Sequence, residues 1–440
     1  MTSVTPPIAA GSSSPDAFPI RKTAWRAVLM LSTVVMAAGV VRLAFSPLQE
    51  AAKAELSLTD YQISLVQGIA AALPMALIAI PLGWLTDHSK RTRLMMILGF
   101  VWTVGMIGTA FAANFEQMFV ARMLAGLGAM SIVPVAISVL ADLSLPESRG
   151  RAMLFVGMGN TLGPALAFVG GGAIVTAFAA GLDLPGVALT PWRETALVIG
   201  LASAALLVPQ MLVREPVRHE VENPSASLKA MAKALWARRR FLLPLFVGQI
   251  SVIMADAAAG VWAVPVLQRD LGQTVGQAAA ILGGLLLLAG ILGPVIGGFV
   301  ADRGHKSSIR GGILIGAVVA SAIGVPAALF PIITGVPAFA LVLFLLLMAG
   351  AMTGLITATA IAVLVPNEER GVCLGAFMIL GSLIGLGLSQ MLVSLGSQAL
   401  GGEAHLAPAL AIVGVATGLL SLAGFVLAMI NAPERPVAAA

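Results

Sequence analysis

Charge is scarce in this chain. Asp, Glu, Lys and Arg make up 10% of its 440 residues, and hydrophobic residues make up 59%. A water-soluble domain carries roughly 25% charge, so this composition excludes a soluble fold of this length. Cysteine is nearly absent: Cys373 stands alone, which excludes an internal disulfide and any cysteine-based metal site. Histidine occurs at His88, His219, His305 and His405 only. None lies inside an apolar run, which excludes an intramembrane metalloprotease. There is no Gly-x-Ser-x-Gly elbow and no Gly-x-x-x-x-Gly-Lys-Ser/Thr phosphate loop. The reading is a non-enzyme with no cofactor and no metal, unable by itself to drive work with ATP.

What is present is apolar sequence in long runs. Twelve stretches approach or exceed the ~20 residues that a helix needs to cross a bilayer. They fall near 25–48, 61–86, 92–113, 117–143, 150–180, 191–213, 241–268, 274–301, 308–330, 337–365, 371–400 and 407–431. The runs are too long for barrel strands and show no alternation of period two. The 48 glycines and 25 prolines suit helices in lipid, where small residues let backbones approach closely. The predicted class is an all-α membrane protein of twelve transmembrane helices.

The formal charge of +5 comes from the placement of basic residues, so it does not point to nucleic acid. With the N-terminus inside, 20 of the 25 Lys and Arg fall in cytoplasmic segments. Lys53, Arg193 and Arg269 fall outside, while Arg42 and Arg122 lie within spans. This asymmetry predicts two cytoplasmic termini and a multi-pass protein of a bacterial-type inner membrane. The stretch 1–20, rich in Ser and Pro, reads as a disordered tail without the build of a signal peptide.

A pattern repeats half a chain apart. Gly83-Trp84-Leu85-Thr86-Asp87 precedes His88, Lys90 and Arg91, and Gly298-Phe299-Val300-Ala301-Asp302 precedes Arg303, His305 and Lys306. Asp87 and Asp302 are 215 positions apart. Pro146-Glu147-Ser148-Arg149-Gly150 and Pro366-Asn367-Glu368-Glu369-Arg370-Gly371 open the fifth and eleventh runs in the same manner. Duplication among apolar spans points to a parallel, six-plus-six transporter. The expected organisation is a tail at 1–20, a six-helix bundle at 21–213, a linker at 214–240, a second bundle at 241–432 and a tail at 433–440. Within the linker, Leu228, Met231, Leu235 and Trp236 recur at helical spacing between Lys and Arg. That spacing predicts an amphipathic helix on the lipid surface, where anionic headgroups attract basic residues.

With these motifs the chain resembles the major facilitator superfamily. The hairpin between its second and third helices carries that family's Gly-x-Leu-x-Asp pattern at Gly83, Leu85, Asp87 and Arg91. The second copy matches at Gly298, Asp302, Arg303 and Lys306, and Arg122, Gly126 and Gly128 form the fourth-helix pattern. Trp192-Arg193 before the sixth run is also typical. Arg42, Trp102 and Ala121-Arg122 give it a likeness to the spinster-like and organic-anion-transporting branches. It departs from them at Val41 and Ala129, where the acids that the resemblance ties to proton coupling are missing. The antiporter pattern of the fifth helix is met at Gly159, Gly163 and Pro164 but broken at Ala167 and Phe168. The resemblance implies two pseudo-symmetric six-helix bundles rocking about a midplane site. It also implies a cytoplasmic latch formed by Gly83, Asp87, Arg91, Gly298, Asp302 and Arg303.

A charge in the bilayer core costs about 2.5–3.5 kcal/mol on insertion scales, which singles out Arg42, Arg122 and Asp256. The two guanidinium groups are candidate contacts for an anionic substrate, with Gln67, Asn160 and Gln249 as polar neighbours. Asp256 is the candidate proton carrier. The bland alternatives are that Arg42 snorkels to headgroups, that Asp256 pairs with an Arg to lock the halves, and that the amides join helices. The expectation is a monomeric, proton-coupled transporter of a small organic anion. Export of lysolipid-like or drug-like amphiphiles is the alternative, and a receptor or scramblase built on the same scaffold is a different class.

Overall fold

The computed structural model describes residues 23–182, 184–186, 188–216 and 236–433. The expected N-terminal tail, most of the linker with its surface helix, and all but the first residue of the C-terminal tail lie outside the described residues. Among the described residues there is no strand. Twelve helices are long and apolar enough to cross a membrane, and in chain order they are spans 1 to 12. The first six are Trp25–Leu56, Asp60–Ala79, Arg91–Phe111, Phe115–Leu143, Glu147–Ala179 and Pro191–Leu212. The second six are Arg239–Arg269, Val275–Lys306, Gly312–Ile332, Val336–Leu364, Glu369–Ala399 and Glu403–Ile430.

Local chemistry sets the ends. Span 1 is helical over Trp25–Leu43, turns through a tighter 3₁₀ stretch at Ser46–Leu48, and resumes at Gln49–Leu56. Pro47 sits at the start of that tighter turn, where a missing N–H costs no helical bond. Thr59 and Gln62 close a reciprocal capping box ahead of span 2, and Thr274 and Gln277 close the same box ahead of span 8. Each box satisfies two donors that a helix start leaves orphaned. Thr59 and Thr274 are again 215 positions apart, so the duplication extends to the caps. The helix of span 2 continues through Asp87 to His88, and that of span 8 continues through Asp302 to Lys306. Both motif acids therefore stand on the last turns of helices, ahead of the connecting loops.

Spans 1 to 6 pack against one another, chiefly 3 on 4, 1 on 5, 2 on 4 and 3 on 6. Spans 7 to 12 do the same, chiefly 7 on 12, 8 on 10 and 9 on 10. The two six-helix halves meet along spans 5 and 8, 2 and 11, and 1 and 7. Gly128 shows why span 4 needs its glycines. A Cβ there would sit 2.4 Å from the Leu98 carbonyl oxygen of span 3, so a larger residue would push the two backbones apart. Spans 2 and 11 each contain a widened π-helical segment, Leu65–Ile69 and Gly381–Leu388, and these two segments touch across the seam. Such bulges insert an extra residue in a helix and shift the register of the side chains beyond it.

Candidate functional site

The charged residues gather at the two ends of the helices. At the end where span 1 meets span 2 and span 7 meets span 8, a network of ion pairs joins the halves. Arg269, last residue of span 7, donates to Glu50 of span 1 at 2.7 and 2.8 Å. It also donates to Asp60 of span 2 at 2.7 and 2.8 Å. Lys53 bonds Asp60 at 2.6 Å and also reaches Glu403 of span 12. The Asp60 backbone N–H donates to Glu403 at 2.7 Å. Two cations and three carboxylates thus fasten three helices of the seam and the start of span 12. Charge-assisted, bidentate pairs of this kind are the strong ones.

A second seam of polar contacts runs just inside this network. Gln67, on the π-helical turn of span 2, donates to Ser46 at 3.1 Å and to Gln49 at 2.9 Å. Gln49 in turn donates to the Val261 carbonyl of span 7 at 2.8 Å. Ser394 of span 11 donates to Ser64 of span 2 at 3.1 Å. Gln67 is therefore engaged in a strut between the halves. Gln249 is likewise engaged, accepting from Thr357 of span 10 at 2.9 Å within the second half. Asn160 is exposed on span 5.

Arg42 and Arg122 come together, but in different roles. Arg122 is 1% exposed. It donates to the Arg42 carbonyl at 3.2 Å, contacts the Met106 sulfur at 3.8 Å and lies 5.4 Å from the centre of the Phe45 ring. The carbonyls at the end of the Trp25–Leu43 helix lack helical partners, and the Arg122 guanidinium supplies one. It also brings positive charge to the negative end of that helix. Its Nε, like the indole N–H of Trp102, is buried without a partner. Arg42 is half-buried on the last turn of the same helix. Among the described residues its side chain makes no hydrogen bond or ion pair.

Asp256 belongs to neither arginine. It lies inside the second half, lining a cavity of about 20 Å³ with Ser251, Ser321, Thr353, Ser421 and Gly350. That volume holds about one water-sized species. Asp256 Oδ1 is enclosed and has no hydrogen-bond partner. Thr353 donates to the Gly350 carbonyl at 2.9 Å, and Ser321 and Ser421 bond each other at 3.0 Å; no described hydroxyl donates to Asp256 Oδ1. A Cβ on Gly350 would lie 1.9 Å from Asp256 Oδ2, so the carboxylate needs a glycine there.

At the opposite end lie the motif residues. Arg91 is buried and pairs with Asp142 of span 4 at 2.5 Å and with Glu215 at 3.0 Å. Glu215 also accepts from the Thr92 backbone and hydroxyl, each at 2.8 Å. Burial pushes the pKa of the Glu215 carboxyl up, but the bonds from Thr92 and Arg91 outweigh it and hold the pKa below its ordinary value. Gly83 has open space around its Cα. Asp87, Asp302 and Arg303 are exposed, while Gly298 is half-buried. In the second half, Arg238 pairs with Glu369 at 2.6 Å.

A sequence model described as the Major Facilitator Superfamily matches residues 28–389. The chain belongs to that superfamily. It is a multi-pass membrane protein with the superfamily fold. Among its relatives, spinster homolog 1 of Xenopus laevis is 26% identical over 285 residues, covering 60% of this chain and 52% of that protein. An MFS-type efflux pump of Mycolicibacterium smegmatis is 25% identical, covering 64% and 63%. The probable sulfoacetate transporter SauU of Cupriavidus necator is 26% identical, covering 57% and 59%. The matched stretch thus spans between about half and two thirds of the curated relatives. A bacterial homologue of the human lysosomal transporter Spinster, inward-facing and unoccupied, superposes with a TM-score of 0.78 at 21% identity. That match covers 93% of this chain and 97% of the other. The superfamily member FucP in the outward conformation gives 0.62 at 16% identity, covering 92% and 98%. At these identities the likeness is one of fold.

The superfamily motifs gain physical reasons from the structure. Trp192 and Arg193 both hold Glu55: the indole donates to it at 2.6 Å and the guanidinium at 2.7 Å. The five-residue network at the seam was missed by motif reading. Its signal was faint: Lys53 and Arg269 are two of the few basic residues on the wrong side of the charge asymmetry, and acids accompany them.

Proposed function

We propose that the chain is a proton-coupled secondary transporter of a small organic anion that works by alternating access. The observation that carries this reading is the contrast between Arg42 and Arg122. Arg122 is consumed by packing and by a helix end, while Arg42, held beside it, keeps its donors free of described protein partners. A guanidinium with a free planar fork suits a carboxylate, sulfonate or phosphate. Asp256 supplies the proton site: a lone carboxylate, enclosed among hydroxyls, with room for one small species. The sulfoacetate transporter among the relatives is named for an organic anion, which agrees with this substrate class.

In this reading the halves 21–213 and 241–432 are the moving bodies, joined by the linker at 214–240. The excess of Lys and Arg places the Asp87 and Asp302 end in the cytoplasm, with both termini. The Arg269 network then closes the outer face. Asp87 and Asp302, with Gly83, Arg91, Gly298 and Arg303, form the latch of the alternate state. Gln67 and Gln249 act as struts lining the path, and Asn160 as a polar group on span 5.

Export of amphipathic compounds is the second reading. It is favoured by the efflux pump among the relatives and by the finding that, of Arg42 and Arg122, the Arg42 side chain alone lacks a described partner. Proteoliposomes holding the purified chain decide between them. Uptake or exchange of carboxylates and sulfonates, driven by an imposed pH gradient and lost in Arg42→Gln, supports the anion reading. Transport of cationic or neutral amphiphiles, unaffected by Arg42→Gln, overturns it.

A further inference from the structure

Span 7 opens on Arg239 and Arg240, with Arg238 just ahead of it, and these residues line a cavity of about 410 Å³ with Ala237, Phe241, Asn431 and Pro433. The cavity therefore lies between the start of span 7 and the end of span 12. No carboxylate lines it among the described residues. Arg238 is already paired with Glu369. Arg239 is exposed; its guanidinium carbon lies 4.7 Å from the centre of the Trp236 ring, and it donates to the Trp236 carbonyl at 2.9 Å. Arg240 is exposed and makes no hydrogen bond or ion pair with a described residue. Among the described residues, no carboxylate compensates Arg239 or Arg240 in this concave place.

The faces below the cavity say what kind of anion fits it. Arg240, Leu243 and Val247 follow one another at helical spacing on one face of span 7, and Leu243 and Val247 are exposed. On span 12, Leu427 lies one turn before Asn431, and Leu427 and Ile430 are exposed. Exposed apolar side chains at this end of a membrane helix suit acyl chains. The Trp236 ring is 67% exposed at the mouth, where tryptophan marks the level of the headgroups. A basic hollow at headgroup depth, continued by apolar grooves, matches a phosphate carried on acyl chains better than a free one.

We propose that this hollow binds the phosphate of an anionic glycerophospholipid, with Arg239 and Arg240 holding the phosphate and Leu243, Val247, Leu427 and Ile430 receiving the chains. The site is separate from the transport path, and its existence does not depend on the substrate or on coupling. It ties the linker's end and span 12 to the bilayer.

The test uses the full chain in neutral detergent, with phosphatidylglycerol, phosphatidylcholine or inorganic phosphate added at equal phosphorus. Phosphatidylglycerol is expected to raise the thermal midpoint by a few degrees above phosphatidylcholine. Inorganic phosphate is expected not to. Arg239→Gln with Arg240→Gln should match the parent in phosphatidylcholine and lose the phosphatidylglycerol increment. Equal increments from both lipids, a phosphate effect as large as the lipid effect, or an increment kept by the double variant would each overturn the proposal. Should the double variant fold poorly, Arg240→Gln alone removes no described contact. Native mass spectrometry should then show one fewer retained phosphatidylglycerol, and an unchanged number would overturn the site.

Discussion

Arg269 and Asp60 face each other across the seam between the two halves, joined by two hydrogen bonds of 2.7 and 2.8 Å. One ends span 7 and the other starts span 2, so the pair spans the boundary between the two six-helix halves. Asp60 is 2% exposed, and Arg269 and Lys53 both lean on it. Breaking such a pair strands a buried charge, at a cost of about 3–5 kcal/mol.

Arg269→Gln should therefore shift the population toward opening at this end. With Cys373 replaced by Ser, a single cysteine at Ser64 reports the shift. Its modification by an impermeant maleimide should rise at least tenfold in Arg269→Gln. An unchanged rate would mean that the network does not hold the seam.

Arg122 and Arg42 should separate stability from binding. Arg122→Ala removes a buried side chain, orphans the Arg42 carbonyl and loses a ring contact, a combined cost of about 2–3 kcal/mol. Arg42→Gln should cost less than about 1 kcal/mol and yet abolish stabilisation by anionic ligands. Thermal midpoints with and without a carboxylate panel read both effects. Ligand stabilisation surviving in Arg42→Gln would remove Arg42 from the site.

Gly350→Ala tests Asp256 without touching an ionisable group. The new methyl would fall 1.9 Å from Asp256 Oδ2, forcing the carboxylate to move at a cost of about 1–3 kcal/mol. Both Gly350→Ala and Asp256→Asn should uncouple substrate flux from an imposed proton gradient in proteoliposomes. Coupled flux kept by Asp256→Asn would exclude that residue from coupling.

Glu215 gives a pH signature outside the membrane spans. Its folded value is held below the ordinary 4.5 by bonds from Thr92 and Arg91, despite burial. Its stabilisation is therefore present above about 4.5 and is lost as pH falls through the lower, folded value. Glu215→Gln should lower stability at neutral pH by about 1–2 kcal/mol and flatten the acid limb. Thermal melts between pH 3 and 7 check this, and parallel curves for parent and variant would contradict it.

The twelve spans were legible because hydropathy is a property of consecutive residues. The expected runs near 117–143 and 191–213 fall within a residue or two of Phe115–Leu143 and Pro191–Leu212. Span 8 ran longer than expected, to Lys306, because a helix end can continue past its last apolar residue into charged turns. Arg42, Arg122 and Asp256 stood out by their cost in lipid. Their separate fates did not, since a guanidinium spent on a helix end and one left free have the same one-letter code. Gln67 and Gln249 were candidate ligand contacts and prove to be hydrogen-bonded into the frame, which depends on neighbours 18 to 108 positions away.

By itself the sequence determined the membrane class, the twelve crossings, the duplication at 215 positions and the superfamily, because each is written in local composition or in repeated spacing. Only the tertiary structure decided that Arg269 meets Asp60, that Arg122 serves the end of span 1, and that Asp256 sits alone beside Gly350. Those outcomes depend on which helix faces approach within hydrogen-bond distance. Residues 80 to 209 apart in the chain acquire that proximity only when the helices pack.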